Sequence, residues 1–116
     1  MRPALLILVG LAAPARADVA ECPRLHPEQH ARLSGAGMFV GERGGQGELA
    51  GERREARGGW DAQFGFAVGD QRWLVCMYGA RAEITWWKEM DARSTNCALQ
   101  VRGSGGSNVS ARATCK

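Results

Sequence analysis

All four cysteines of the 116-residue chain, Cys22, Cys76, Cys97 and Cys115, lie beyond residue 17, and even the closest two, Cys97 and Cys115, stand 18 positions apart. Four-thiolate zinc sites draw their ligands from close pairs such as C-x2-C. This wide spacing instead predicts a disulfide framework, for which four cysteines allow three connectivities.

The segment ahead of the cysteines supports that chemistry. Met1-Arg2-Pro3 precedes an apolar block from Ala4 to Ala13, and Ala15-Arg16-Ala17 closes it with a small-x-small pattern. That three-part layout predicts a secretory signal peptide over residues 1–17, cleaved after Ala17. The block is too short to cross a bilayer, which takes roughly 20 apolar residues. Glu21, directly before Cys22, argues against lipoprotein processing. The expected product is one small domain, residues 18–116, in the periplasm or secreted, where disulfides persist. Arg2 and Arg16 leave with the signal, so 13 of the 15 basic residues remain against 12 acids. A formal charge of +1 gives no one-sided field of the kind nucleic-acid binders carry.

Period-2 alternation points to strands. Trp60, Ala62, Phe64, Phe66 and Val68 share one face of a strand, with Asp61, Gln63 and Gly65 on the other. Gly69-Asp70 then reads as a turn into the run Arg72–Tyr78, so these two runs are expected to form a hairpin. The second run is apolar on both faces, as a central strand should be. A third strand is expected over Glu83–Lys88, after Gly79-Ala80-Arg81. Further on, Cys97, Leu99 and Val101 alternate inward, and after the polar turn "GSGGSN" so do Val109, Ala111, Ala113 and Cys115. Met38-Phe39-Val40 is a short strand. Between Gly41 and Gly59 the chain is rich in glycine and charge, which predicts a mobile loop with a short helix over Glu48–Arg57.

The fold class expected is therefore all-β: a small antiparallel meander held by two disulfides, with a long Gly/Arg-rich loop. Inward-facing cysteines suit structural bridges, whereas reactive thiols need exposed, electropositive settings. The expected pairing is Cys76 with Cys97 and Cys22 with Cys115, the second tying the start of the exported chain to its last strand.

The ordered landmarks "ECPRLHP", "MFVGE", the Trp60 strand, "WLVCMYG", "NCALQV" and "SARATCK" resemble the STY-type family of small exported, cysteine-containing proteobacterial proteins. The resemblance implies a periplasmic or secreted domain with no assigned activity and no assigned catalytic residues. The proline-containing segment usual before the Trp strand is replaced here by the glycine and arginine loop.

Few residues suggest chemistry. His26 and His30 flank Glu28 at a spacing that would put two imidazoles on one helical face, half of a metal site. Pro27 disfavours helix at His26, and no third ligand is near, so no metal is expected and the histidines read as surface residues beside a disulfide. Hydrolysis needs a nucleophile, a base and an orienting acid. There is no G-x-S-x-G elbow, and the carboxylate pairs Asp61/Asp70 and Glu83/Glu89 read as solvated positions. "GERGGQG" lacks the G-K-[ST] of a phosphate loop. "NVS" at Asn108 matches a glycosylation sequon but reads as a polar turn.

Trp86 and Trp87 are adjacent in a strand and must point to opposite faces. One is expected in the core and the other exposed or under the long loop. With Arg81 and Lys88 they form the candidate binding surface.

These features predict a non-catalytic binding or structural module of the envelope, without cofactor, nucleic acid or membrane span, and with an envelope protein as candidate partner. The alternative is a proteinaceous inhibitor of an envelope hydrolase such as lysozyme, although the serine-glycine loop of such inhibitors is missing. The chain leaves its oligomeric state open.

Overall fold

A computed structural model describes residues 17–103 and 108–116, which form eight antiparallel strands in two sheets. The larger sheet is ordered β1 (Asp18–Glu21), β8 (Ser110–Cys115), β7 (Asn96–Arg102), β4 (Gly59–Gly65) and β3 (Glu52–Ala56). The smaller contains β2 (Leu33–Val40), β5 (Arg72–Tyr78) and β6 (Ile84–Met90), with β5 in the middle. The all-β class and the two disulfides are as expected, but the strands divide between two sheets instead of running as one meander. Residues 1–16 of the expected signal peptide lie outside the described residues.

One core fills the space between the inner faces. Ala62, Phe64, Leu99, Val101, Ala111 and Ala113 come from the large sheet, and Leu33, Ala36, Met38, Leu74, Tyr78 and Met90 from the small one. The many alanines keep the large sheet's inner surface low, leaving volume for Met38, Tyr78 and Met90 opposite. Alternation in β7 and β8 is as read, since Cys97, Leu99, Val101, Ala111, Ala113 and Cys115 are all buried. Strand β5 is apolar on both faces because it is central and both its faces are covered, Val75 and Leu74 alike being fully buried.

Three expectations are corrected. The disulfides are Cys22–Cys76 and Cys97–Cys115. Cys97 and Cys115 face each other across β7 and β8 with Cα atoms 4.0 Å apart, flanked by the Asn96–Lys116 pair that exchanges both backbone hydrogen bonds. They thus occupy a non-hydrogen-bonded position, where side chains approach closest. Cys76 belongs to the other sheet, so its partner is Cys22, just after β1, and this bridge ties the two sheets together.

Nor do β4 and β5 form a hairpin. β4 pairs with β3 and β7, and the Phe66–Gln71 segment crosses to the other sheet. Val68, expected on the inward face, sits on that crossover and is 74% exposed. The expected helix over Glu48–Arg57 is also absent. Gly47–Leu49 returns alongside β2, with Val40 N donating to Gly47 O and Leu49 N to Met38 O, and Glu52–Ala56 is β3, paired with β4. Arg53 stacks 4.3 Å over the Trp60 ring, so this charged strand is held by cation–π contact as well as its ladder.

Candidate functional site

The outer face of the small sheet is apolar where a solvated sheet would alternate to polar residues. In β5 the outward residues are Trp73, Val75 and Met77; Phe39 of β2 is paired with Trp73, and Trp87 of β6 with Val75. Trp87 meets Phe39 edge-on at 5.0 Å between ring centres and Trp73 at 5.8 Å, within the range of favourable aromatic pairs. Trp73 is only 7% exposed and donates its indole N–H to Gly41 O at 2.8 Å. Phe39, Met77 and Trp87 are half-buried. At Gly37 the missing side chain makes room for the Glu48 carboxylate, whose Oε2 would stand 3.2 Å from a Cβ placed there. The returning loop therefore lies along one border of the aromatic face and leaves Trp87 at the open side.

Of the four residues singled out from the sequence, only Trp87 belongs to this face. Trp86 points inward and packs on the core. Lys88 shares its side of β6 but is exposed at the sheet edge, and Arg81 lies in the β5–β6 turn, where its N–H donates to the Glu83 carboxylate. Phe39 and Trp73 were missed as site residues. Their signal was present in the two-faced apolar character of β5, which requires a second apolar surface besides the core.

A second cluster was not visible in the sequence. Arg72 is fully buried, and its guanidinium donates to Ala67 O and Asp70 O and to Ser94 O. It also lies 4.7 Å over the Phe66 ring. It thereby joins the two segments that cross between the sheets, Phe66–Gln71 and Asp91–Thr95, which are further linked by Phe66 N to Thr95 O and Gly69 N to Ala92 O. Gly69, with φ of 94°, makes the reversal at the tip that a side chain would strain. Beside it, the half-buried Asp91 carboxyl is held down at about 2 by hydrogen bonds from Arg93.

The histidines are structural. His26 is 6% exposed and so not at the surface, its Nδ1 accepting from the N–H groups of Glu28 and Gln29 while Nε2 donates to Thr85 O. Both nitrogens are committed, which leaves no lone pair for a metal. His30 ends a turn rather than a helix, with φ of 57°. Among the described residues no group of three or more His, Cys, Asp or Glu side chains is placed to hold a metal ion. Ser94 gives its hydroxyl to Asp91 O, and Asp61 lies 2.8 Å from the Arg102 guanidinium. Among the described residues no helix is long and apolar enough to cross a membrane.

A family model described as "Type VI secretion system Tli immunity protein" matches residues 27–116. No curated protein and no solved structure matches the chain.

Proposed function

The chain belongs to the type VI secretion system Tli immunity protein family, and on that premise we propose that it binds and neutralises a lipase-class effector in the periplasm. The match across residues 27–116 carries this reading, since it spans both sheets and seven of the eight strands. It supports the inhibitor alternative drawn from the sequence, with a lipase in place of lysozyme, and a non-catalytic role acting through a protein partner. Disulfides form and persist in the oxidising envelope, and the two bridges here fit residence there. The fold offers a rigid surface for such a partner in the half-buried Phe39 and Trp87 rings, held in place by the buried Trp73 beside them, aromatic residues being the commonest interface anchors.

The test is titration of the purified, oxidised chain against a type VI lipase effector from the same genome, reading ester hydrolysis. Inhibition saturating near one equivalent is expected, with protection of cells that carry the effector in the periplasm. Full hydrolysis at a large excess of the chain would end the proposal. Deleting residues 2–17 should abolish protection by keeping the chain in the cytoplasm; undiminished protection would remove the periplasmic part of the reading.

A further inference from the structure

An exposed valine alone is ordinary on a protein surface. Val68 differs because of what holds it. A fully buried guanidinium with no carboxylate bonded to it is a costly element, and Arg72 directs its donors at Ala67 O and Asp70 O, the residues on either side of the Val68-Gly69 tip, and at Ser94 O behind it. Two more backbone bonds, Gly69 N to Ala92 O and Asp70 N to Ala67 O, close the turn. The tip is thus fixed in one shape while its apolar side chain is 74% exposed. Binding through a pre-ordered loop avoids the ordering cost that a flexible one would incur.

Its position connects it to the aromatic face. Gly41, which accepts the Trp73 indole N–H, donates its own N–H to Gln71 O, and the Gln71 side chain donates to Glu89 on β6. The valine tip therefore stands at the Trp73 end of the small sheet, with Asp70 in the same turn, Glu89 hydrogen-bonded to Gln71, and the neighbouring Arg93 neutralised by its ion pair with Asp91.

We propose that the Phe66–Gln71 crossover is the inhibitory finger of this protein, Val68 entering an apolar cleft of the effector whose rim is basic. This inference rests on the immunity-protein reading above and deepens it. A lipase has to receive acyl chains, so its substrate cleft is apolar and concave, which a β-branched tip complements. Asp70 and Glu89 would meet cationic groups at the cleft rim and speed association.

The experiment measures binding of purified effector to the wild-type chain and to the variants Val68→Asp, Asp70→Asn and Trp87→Ala, with unfolding midpoints as the folding control. Val68→Asp should leave the midpoint unchanged and weaken binding by at least roughly 30-fold, because it would put an unpaired carboxylate into an apolar cleft, with matching loss of inhibition. Asp70→Asn should slow association several-fold and flatten its dependence on salt, with little change in dissociation. If the wild-type chain binds and Val68→Asp binds equally well, the finger is overturned while the immunity reading stands. Loss of binding by Trp87→Ala alone would assign the contact to the sheet face and also overturn it. If the wild-type chain neither binds nor inhibits, the immunity reading itself falls and the finger with it.

Discussion

Removing the two disulfides one at a time separates their roles quantitatively. The perturbations are the double variants Cys22→Ala/Cys76→Ala and Cys97→Ala/Cys115→Ala. The bridges close loops of 54 and 18 residues that follow one another along the chain without nesting, so their effects on the unfolded state are independent. Loop-closure entropy assigns about 4 kcal/mol to the first and about 3 kcal/mol to the second at 25 °C. Cys76, Cys97 and Cys115 are fully buried and Cys22 nearly so, which makes the cavity left by the lost sulfurs similar in both variants. Their difference, about 1 kcal/mol, then reports loop length. Urea unfolding followed by tryptophan fluorescence resolves it as a shift in midpoint, and both variants should show a steeper denaturant dependence because the unfolded chain expands. Together the losses approach the 5–15 kcal/mol total typical of such a domain, so the fully reduced chain should be unfolded or close to it. Larger destabilisation from the 18-residue bridge would refute the entropic account, and non-reducing peptide mapping that joined Cys76 to Cys97 would refute the two-sheet topology itself.

Two further outcomes follow from buried polar groups. Tyr78, the only tyrosine, is fully buried with its hydroxyl donating to Pro23 O, and burial pushes its pKa from 10.0 up to about 12. A raised folded-state value means that its contribution to stability is complete below pH 10 and is lost as pH climbs through 12; absorbance titration of the native protein should show the phenolate appearing near that upper value, and a normal titration near 10 would contradict the burial. Replacing Arg72 by Met leaves three carbonyls without their charged donor and should cost about 3–5 kcal/mol, with faster amide exchange confined first to 66–71 and 91–95; unchanged stability would mean that the clamp holds nothing the apolar stem could not.

What could be read in the sequence was local. Alternation in Cys97–Val101 and Val109–Cys115 identified the buried faces of β7 and β8, because each strand has one face on the core and a period of two is then enforced along its length. The same facts contained the correct bridge, since two inward cysteines on neighbouring antiparallel strands can lie directly opposite. Seeing that required the register, which turn length sets and which "GSGGSN" does not specify from composition. The site was legible only in part. Trp86 and Trp87 were correctly placed on opposite faces, but the partners of Trp87 come from Phe39 and Trp73, 48 and 14 positions earlier, and sheet order alone brings them together.

The failure at Val68 has a different origin and explains the feature that matters most. Phe66 and Val68 continue the alternation of β4 without a break, yet Phe66 is buried and Val68 projects into solvent. Alternation cannot see the guanidinium of Arg72, which captures the carbonyls of Ala67 and Asp70 and bends the chain between those two apolar residues. An arginine at the head of an apolar run usually reads as a solvated strand end. Here it is enclosed by two crossovers that must pass each other because β4 and β7 belong to one sheet and β5 and β6 to the other. The two-sheet topology thus creates a place where backbone carbonyls converge away from water and need a donor, Arg72 supplies it, and the rigid turn that results carries a valine outward. Sequence patterning that is broken by a buried charge in this way marks a position where local preference has been overridden, and such positions are where an exposed apolar residue is best sought as a contact for a partner.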